Sequence, residues 1–381
     1  MVCGQSDGNL DTDLIANVYS PLSKLGIISI GTHDEGWLML PLEGVKVLDL
    51  SRILAGPHAA QSLSDLGADV IKVEAPWGDD SRNWGPPFQP GFDGAEVASY
   101  FLSCNRGKNI LVANLKDEKE RIRELMNTVD VVIENFKPGT FDRLLGPVGP
   151  NLIVCSISGY GQTGPRRDEP AFDLTMQARS GIMSVTGEEN GPPAKVGVAW
   201  IDVMTGMNSV ISIIACLLKR ERGGGGARID ISLWDTAISS LVNQGHNALA
   251  GMETGRMGSK HPNLVPYRAF QASDGWFAIG IGSNGQWEKM VDALSLSTPS
   301  SWNENSVRIE ERERVERVVQ DAVGELTRAE LEGLLLGVPC APVNTISEAL
   351  DDLQSISRGS VVEHSGVSTL ASPFRFISST E

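Results

Sequence analysis

The sequence feature that most restricts the fold is a strand–helix–strand pattern between residues 45 and 74. Residues 45–50 form a short β-branched and apolar run, and Pro57 then suits the first turn of a helix, where its missing N–H is no loss. Apolar residues recur at helical spacing up to Gly67, which ends the helix, and Asp69–Glu74 is typical of a second strand. Because so short a βαβ unit joins parallel strands, the pattern predicts a parallel sheet.

The same alternation continues along the chain, with a predicted helix over 118–127 and predicted strands over 129–134 and 152–157. These elements predict a doubly wound, Rossmann-like α/β domain with ligand-binding loops at the carboxyl ends of its strands. Further helices are predicted over 174–185, 205–220, 236–250, 310–323 and 328–336, with strands over 228–233 and 276–281. The predicted organisation is an N-terminal extension (1–40), a large α/β domain (41–235), a linker helix with a smaller α+β domain (236–345) and a segment returning to the large domain (346–381).

The composition of the chain argues against several classes of binding partner. The 381 residues carry 32 basic and 48 acidic side chains, and this net charge of −16 disfavours non-specific binding to nucleic acid or an anionic membrane. The longest apolar run, residues 210–218, is far shorter than the ~20 residues that cross a bilayer. The five cysteines form no CxxC pair and the five histidines are dispersed, so we expect reduced thiols and no metal site. Since no targeting pattern is recognised, we expect a cytoplasmic protein, with a mitochondrial one as the alternative.

A glycine pattern after the strand at 152–157 imitates a dinucleotide-binding fingerprint. Gly159, Gly161 and Gly164 have the GxGxxG spacing, but the fingerprint requires a helix directly afterwards, and residues 165–170 suit one poorly. Nicotinamide binding is therefore not expected. The chain also lacks GxSxG and GxxxxGK[ST] motifs, which argues against the corresponding hydrolases and P-loop enzymes.

Two aspartates precede predicted helices, and each allows two interpretations. Asp202 follows the apolar run 196–201, and Asp173 lies 29 residues upstream of it. As an N-cap, an aspartate accepts backbone N–H groups and stabilises the helix by about 1 kcal/mol. As an anion at a helix start, it could act as a nucleophile toward an activated acyl group. Residue type and position favour the N-cap and leave the nucleophile open.

Basic side chains near the predicted strand ends suggest another part of a site. A cluster of cations at the carboxyl edge of the sheet would suit a phosphate-bearing ligand. Ordinary solvated charge is the alternative for each residue taken singly. The candidates are Lys72, Arg106, Lys108, Lys137 and Arg143.

Six groups of short motifs occur in order along most of the chain. They are VLDLSR with AGP at residues 47–57, LGADVIKVE at 66–74, ENF with PG at 134–139, SISGYGQTGP at 156–165, HPN with VPY at 261–267, and GVPC with PV at 337–343. This ordered set resembles the family III coenzyme A transferases, the family that contains formyl-CoA transferase. The region around residues 258–267 is most similar to the succinyl-CoA:glutarate, or dicarboxylate, type.

The resemblance implies both an assembly and a catalytic site. Members of the family form intertwined homodimers, and their nucleophilic aspartate corresponds to Asp202, which favours the nucleophile over the N-cap. A second acid of the family's site corresponds to Asp173, and its mobile glycine loop corresponds to residues 257–260, which contain Gly258. Phe172 stands where the related 2-methylacyl-CoA racemases carry a histidine acid/base, so a racemase is not expected.

The resemblance also implies that coenzyme A is a substrate, with no tightly bound cofactor and no metal. The chain is shorter than the family between Leu144 and Asn151, and residues 364–370 look trimmed, which bears on coenzyme affinity. The predicted coenzyme-binding residues are Ile53, Leu54, Ala55, Arg106, Lys108, Asn135, Phe136 and Arg143, with Lys72 added as a strand-end cation.

These inferences combine into one hypothesis, a transferase that moves coenzyme A from a dicarboxyl-CoA such as succinyl-CoA to a free carboxylic acid. Asp202 would form a mixed anhydride and then an enzyme–CoA thioester, and Arg52 is a candidate for holding a distal carboxylate. The alternatives are a non-catalytic homologue that binds CoA esters and, less favoured, a racemase. The expected partners are acyl-CoA, small carboxylic acids and a second copy of the chain.

Overall fold

The structure, a computed structural model, describes residues 40–376. The chain folds into two compact units. Within the described residues, the first unit comprises 40–180, Gly197–Ser240 and 353–376, and the second comprises Gly181–Val196 and Leu241–Asp352. The predicted N-terminal extension, residues 1–40, lies almost entirely outside the described residues.

The elements of residues 40–376 alternate between strands and helices in the first half of the chain. In chain order, this half contains β1 (Lys46–Asp49), α1 (Ala55–Asp65), β2 (Asp69–Glu74), β3 (Phe88–Pro90), β4 (Glu96–Ala98), α2 (Ser99–Leu102), β5 (Asn109–Val112), α3 (Lys119–Met126), β6 (Val131–Glu134), α4 (Thr140–Leu145), β7 (Ile153–Ser158), α5 (Asp173–Arg179), α6 (Trp200–Glu221), β8 (Ala227–Ser232) and α7 (Leu233–Ser239). The second half contains α8 (Val242–Leu249), β9 (Tyr267–Ala272), β10 (Gly275–Gly280), α9 (Asn284–Ala293), α10 (Asn305–Glu310), α11 (Arg312–Gly324), α12 (Arg328–Leu334), β11 (Cys340–Pro342), α13 (Ile346–Asp351), α14 (Leu353–Ser357), β12 (Val361–His364) and β13 (Val367–Leu370).

Parallel strands form the main sheet of the first unit in the order β5-β2-β1-β6-β7-β8. Val47 of β1 pairs with Val70 of β2 on one side and with Val131 of β6 on the other. Strands β2, β6 and β7 are almost continuous runs of buried side chains, as expected where helices cover both faces. The chain reverses its direction of winding at β1 and β6, so ligands are expected at the carboxyl ends of these two strands. The predicted doubly wound α/β fold is confirmed.

Helices α1 and α6 pack closely against each other because α6 carries a glycine where they meet. A Cβ atom on Gly206 would lie 2.8 Å from the carbonyl oxygen of Ala55 and 3.0 Å from Nδ1 of His58. Any other residue at position 206 would therefore push the two helices apart. The close approach keeps the start of α1 beside the first turns of α6.

Helix α6 is long and apolar, and only one of its faces is buried. Its 22 residues, with a mean hydropathy of 1.8 over the best window, satisfy a length and composition test for a membrane span that core helices also satisfy. Ile213 and Leu217 lie on the buried face. On the other face, Ile211 is 62% exposed and Leu218 is 49% exposed. The helix thus leaves an apolar surface uncovered by the chain's described residues.

Several elements differ from their predictions. Helix α6 begins five residues before the predicted 205–220, and the predicted helix 174–185 is reduced to α5 and a 3₁₀ turn, Ile182–Ser184. The predicted helix 236–250 divides into α7 and α8, with the backbone turning at Ser240 and Leu241. Strand β5 and the β3–β4 hairpin were not predicted, because each is short and half-exposed.

The second unit contains an antiparallel sheet, β11-β10-β9, with helices packed against it. Its core includes Phe277, Trp287 and Trp302, all at most 1% exposed. Arg308 is fully buried in the same unit, and its Nε donates to the carbonyl oxygen of Val265 at 2.6 Å. The guanidinium thereby satisfies backbone carbonyls that would otherwise be buried without donors.

The unit boundaries differ from the predicted domain boundaries at three places. Residues 236–240, predicted to begin the linker helix and smaller domain, belong to the first unit. Gly181–Val196 was predicted in the large domain but belongs to the second unit, and residues 346–352, predicted to return to the large domain, also belong to the second unit. From Leu353 onward the described chain belongs to the first unit, where Val367 packs against Val97 and Phe101.

Candidate active site

A small cavity opens at the carboxyl edge of the main sheet, where the strand order reverses. Its volume is about 120 Å³. The loop after β1, the residues after β6, the end of β7 and the first turn of α6 contribute to its walls. The lining residues are Arg52, Ile53, Leu54, Ala55, Asn135, Ile157, Ser158, Gly159, Ala171, Phe172, Asp202 and Leu233. The cavity therefore brings Asp202 together with four predicted coenzyme-binding residues.

Two hydrogen bonds join the loop after β1 to the loop after β6. The Arg52 N–H donates to Oδ1 of Asn135 at 3.0 Å, and Nδ2 of Asn135 donates to the carbonyl oxygen of Arg52 at 2.8 Å. The next residue, Phe136, is half-buried and packs on the core under the sheet. One asparagine side chain thus fixes the spacing of two loops that line the cavity.

Ile53 adopts a left-handed backbone conformation within this loop, with φ at +75°. A β-branched residue rarely adopts such a φ, because its Cβ approaches the following carbonyl group. The conformation costs about 1–3 kcal/mol and persists only where the surroundings hold it. It turns the chain from β1 into α1, so that Leu54 and Ala55 reach the cavity.

Asp202 is the third residue of α6 and lines the cavity. The N-cap of this helix is Ala199, whose side chain provides no cap. The N-cap interpretation of Asp202 is therefore wrong, because the helix begins before this residue and not after it. A carboxylate in the first helical turn still lies near the positive end of the helix dipole.

Asp173 supplies the missing cap of α6, although it is the first residue of a different helix, α5. Its Oδ1 accepts the backbone N–H of Ile201 at 2.8 Å and that of Asp202 at 3.4 Å. Its Oδ2 accepts a hydrogen bond of 2.6 Å from Nε2 of Gln177. Asp173 is therefore a helix cap, as one of its two interpretations held, but for the helix that carries Asp202. Its side chain fixes the backbone of that residue.

Burial raises the pKa of the Asp202 carboxyl group from 3.8 to about 7, and the nearby charge of Asp173 adds to the effect. Desolvation and a like charge both disfavour the anion, and here they outweigh the helix dipole. A carboxyl group with such a pKa is half ionised near neutral pH. It is also more basic, and hence more nucleophilic when ionised, than an ordinary aspartate.

Tyr100 is a site neighbour that sequence reasoning missed. Burial and the charges of Asp202, Cys104 and Asp173 raise the pKa of its phenol to about 12, so it stays a neutral hydrogen-bond donor. Its ring packs edge-on against Trp84 at a centroid distance of 5.2 Å. No pattern in the sequence identifies Tyr100, because it lies in a short helix after an unpredicted hairpin.

Comparison with known proteins places this geometry in a family. Residues 42–379 match CoA-transferase family III. The chain belongs to CoA-transferase family III. Its relatives include a succinate–glutarate CoA-transferase of Agrobacterium fabrum, 40% identical over 84% of each chain, and a succinyl-CoA:glutarate CoA-transferase of Mus musculus, 38% identical over 85% of this chain and 77% of the relative. A crystal structure of a CAIB/BAIF family protein from Brucella suis is 42% identical, with a TM-score of 0.80 over 89% of this chain and 93% of that one.

The resemblance drawn from the sequence motifs is thereby confirmed, and the chain is an enzyme of the CoA-transferase class. Family III enzymes act on CoA thioesters, so coenzyme A is a substrate here. In this CoA-transferase, Phe172 lines the cavity with its side chain 60% exposed. The histidine expected of a racemase is therefore missing from a position that faces the site.

Two of the predicted coenzyme cations are fully buried and paired inside the first unit. Nζ of Lys72 lies 3.0 Å from Oδ2 of Asp79, and Nζ of Lys108 lies 2.9 Å from Oδ2 of Asp49. Burial works against the charge of Lys72, but Asp49 and Asp79 outweigh it and hold the pKa of the ammonium above its ordinary value. These ammonium groups compensate buried carboxylates, so phosphate contacts by Lys72 and Lys108 would require their ion pairs to open.

The remaining predicted cations divide between buried and exposed positions. Arg106 is 7% exposed, binds Asp65 at 2.6 Å and donates to the carbonyl oxygen of Leu370. Lys137 lies exposed in the loop after β6, and Arg143 lies exposed in α4. Of the predicted cations, these two have ammonium and guanidinium groups open to a ligand, and their coenzyme contacts stay a prediction.

Gly258 belongs to the second unit. Its φ is +61°, its N–H donates to the carbonyl oxygen of Gly187 at 2.9 Å, and an added Cβ would lie 3.0 Å from Oε2 of Glu188. The conformation and the close carboxylate both favour glycine at this position. Its membership of a loop over the site stays a prediction.

A larger cavity of about 410 Å³ lies at the amino edge of the main sheet, between the ends of α3 and α4 and the start of β7. It lies around residues 144–151, where the sequence is predicted to be shorter than its family. It faces away from Asp202 and is not part of the candidate site. Its lining residues are Arg123, Met126, Asn127, Leu145, Gly146, Pro147, Val148, Gly149 and Leu152.

Proposed function

We propose that this enzyme transfers coenzyme A from a dicarboxyl-CoA donor, such as succinyl-CoA, to a dicarboxylic acid, with Asp202 as the nucleophile. The observation that carries the proposal is the half-buried Asp202 carboxyl group, with a pKa of about 7, in a cavity walled by Ile53, Leu54 and Ala55. The names of the Agrobacterium and mouse relatives, which act on succinate or succinyl-CoA and glutarate, support the substrate class.

The reaction proceeds through two covalent intermediates on the carboxyl group of Asp202. The ionised carboxylate attacks the thioester carbonyl, the C–S bond breaks, and a mixed anhydride and the CoA thiolate result. The thiolate then attacks the Asp202 carbonyl carbon of the anhydride, which forms an enzyme–CoA thioester and releases the donor acid as a carboxylate. An acceptor carboxylate repeats the steps in reverse. One thioester forms for each one broken, so the exchange needs no other energy source.

The surrounding residues orient this chemistry. Asp173 fixes the backbone of Asp202 through the cap of α6, which leaves the attacking oxygen in one place. Arg52 lines the cavity, and its side chain is 55% exposed. Its guanidinium lies 3.3 Å from the carboxylate of Asp80, which is also exposed. Such an exposed ion pair is weak, so the Arg52 guanidinium is available to a distal carboxylate of the substrate.

The nucleophile is tested by Asp202→Asn, with CoA exchange between succinyl-CoA and a panel of mono- and dicarboxylic acids as the measurement. We expect a loss of more than about 10³-fold, since the amide cannot form the anhydride. Asp235→Asn is the matched control. Asp235 is also the third residue of its helix, α7, where the Ser232 side chain caps the helix by accepting the Asp235 N–H, but it does not line the cavity. Near-normal exchange by the Asp202 variant would remove the covalent role.

Two further measurements in the same assay separate the alternatives. Hydroxylamine treatment after incubation with succinyl-CoA should release CoA from the wild-type enzyme only, because the adduct is a thioester. Arg52→Ala should lose the preference for dicarboxylic over monocarboxylic acceptors. Exchange of the α-proton of a 2-methylacyl-CoA with solvent deuterium would instead support a racemase, and Phe172 argues against it.

A further inference from the structure

The left-handed turn at Ile53 has a dedicated partner in the neighbouring loop. Both carboxylate oxygens of Asp79 accept the Ile53 N–H, at 3.2 and 3.3 Å. Asp79 is 1% exposed and follows β2, the strand next to β1 in the sheet. The Asp79 carboxylate is therefore a buried acceptor for Ile53, the residue of the cavity wall that has a positive φ.

Asp79 is itself held by several groups, so its position does not depend on Ile53. Lys72 lies 3.0 Å from its Oδ2, and the N–H and hydroxyl of Ser81 donate to its Oδ1 at 3.0 and 2.8 Å. Its own backbone N–H donates to Glu74, which forms a two-pronged ion pair with Arg82. A carboxylate oriented in this way is a fixed acceptor for the loop that it contacts.

The loop after β1 is thus held from both neighbouring strands. Asp79, after β2, accepts from the N–H of Ile53, while Asn135, after β6, exchanges two hydrogen bonds with Arg52. Asn135 lines the cavity, but Asp79 does not. Asp79 can therefore affect the reaction only through the loop, and not by touching substrate.

We infer that Asp79 is a positioning residue, which holds Ile53 in its left-handed conformation and thereby fixes the wall formed by Ile53 and Leu54 in the cavity of Asp202. The inference rests on the proposed CoA transfer at that cavity. Without the Asp79 acceptor, Ile53 relaxes to an extended conformation, because its N–H loses the hydrogen bonds that offset the steric cost of a positive φ. The cavity wall moves with it.

The test is rescue of Asp79→Ala by Ile53→Gly. Glycine adopts a positive φ without strain, so it restores the turn, but it offers Lys72 no new partner and cannot repair a purely electrostatic loss. We expect Asp79→Ala to lower kcat/KM for CoA exchange about a hundredfold. The double variant should recover to within about tenfold of Ile53→Gly alone, whereas no recovery in a folded double variant overturns the inference.

Two additional variants keep the test decisive if Asp79→Ala is unstable. Asp79→Asn keeps one oxygen that can accept the Ile53 N–H, so it should lose less activity than Asp79→Ala, and Ile53→Gly should rescue it too. Glu316→Ala is the control for losing a buried carboxylate, since Glu316 holds Arg268 and Arg312 in the second unit. Its unfolding temperature should fall while kcat/KM stays unchanged.

The outcomes separate this inference from the proposed function. A wild-type chain that shows no exchange overturns the proposed function, and the inference falls with it. An active wild-type chain, whose Asp79 variants keep full activity or are not rescued at position 53, overturns only the inference.

Discussion

Asp202 combines the chemistry of a nucleophile with an environment that disfavours its charge. Burial and the charge of Asp173 raise its pKa to about 7, and only the anion attacks a thioester. We therefore expect the exchange rate to rise about tenfold per pH unit up to pH 7 and to level off above it. A pH–rate profile from 5 to 9 checks this, and equal rates at pH 5 and pH 7 would contradict it.

The same pKa makes Asp202 a source of instability. Between pH 3.8 and about pH 7, Asp202 is ionised in the unfolded state but protonated in the native state. The contribution of Asp202 to the free energy of unfolding therefore falls as the pH rises through that window. Asp202→Asn should therefore raise the free energy of unfolding at pH 8 by up to about 4 kcal/mol. The gain, measured by urea unfolding, should shrink toward pH 4. A variant less stable than wild type at pH 8 would show that the native site favours the anion.

At the level of elements, the packing of α1 on α6 depends on Gly206. A Cβ there would lie 2.8 Å from a backbone oxygen, and overpacking of this kind costs about 1–3 kcal/mol, more than the ~1 kcal/mol that alanine gains in a helix. Gly206→Ala should lower stability, measured by thermal unfolding, and also activity, because Ala55 and Asp202 lie on the displaced helices. Gly333→Ala in α12, where the Cβ meets nothing within 4 Å, should be stabilising.

Elements whose determinants are local were predictable, and those with remote determinants were not. Strand β2 has its predicted bounds, because Val70, Ile71 and Val73 are strand formers that follow closely on the glycine ending α1. The start of α6 was missed, since its cap is supplied by Asp173 and not by the residues next to it. Lys72 and Lys108 were predicted to contact a ligand because their true partners could not be seen in the sequence. Asp79 lies in an unpredicted loop, and Asp49 is far from Lys108 in the sequence.

For the whole molecule, we propose a homodimer in which the exposed face of α6 contacts a second copy. Ile211, Ile214 and Leu218 lie three and four residues apart on that face, 62%, 36% and 49% exposed, a spacing typical of helix packing. Leu218→Lys should shift the mass in solution from twice 40.9 kDa toward one chain, measured by analytical ultracentrifugation. Val112→Lys is the control, because Val112 is 57% exposed and lies on the edge strand β5. A wild-type chain that sediments as a monomer at micromolar concentration would contradict the proposal.

The helix cap that Asp173 provides also separates the active site from changes in the segment 181–196. The backbone leaves the first unit after Ser180 and returns at Gly197, and the 2.8 Å bond from Ile201 to Asp173 joins the two segments of chain that flank this departure. This hydrogen bond therefore holds together the two ends of the segment that departs from the first unit. A change in the length of residues 181–196 should therefore leave the backbone of Asp202 anchored to Asp173.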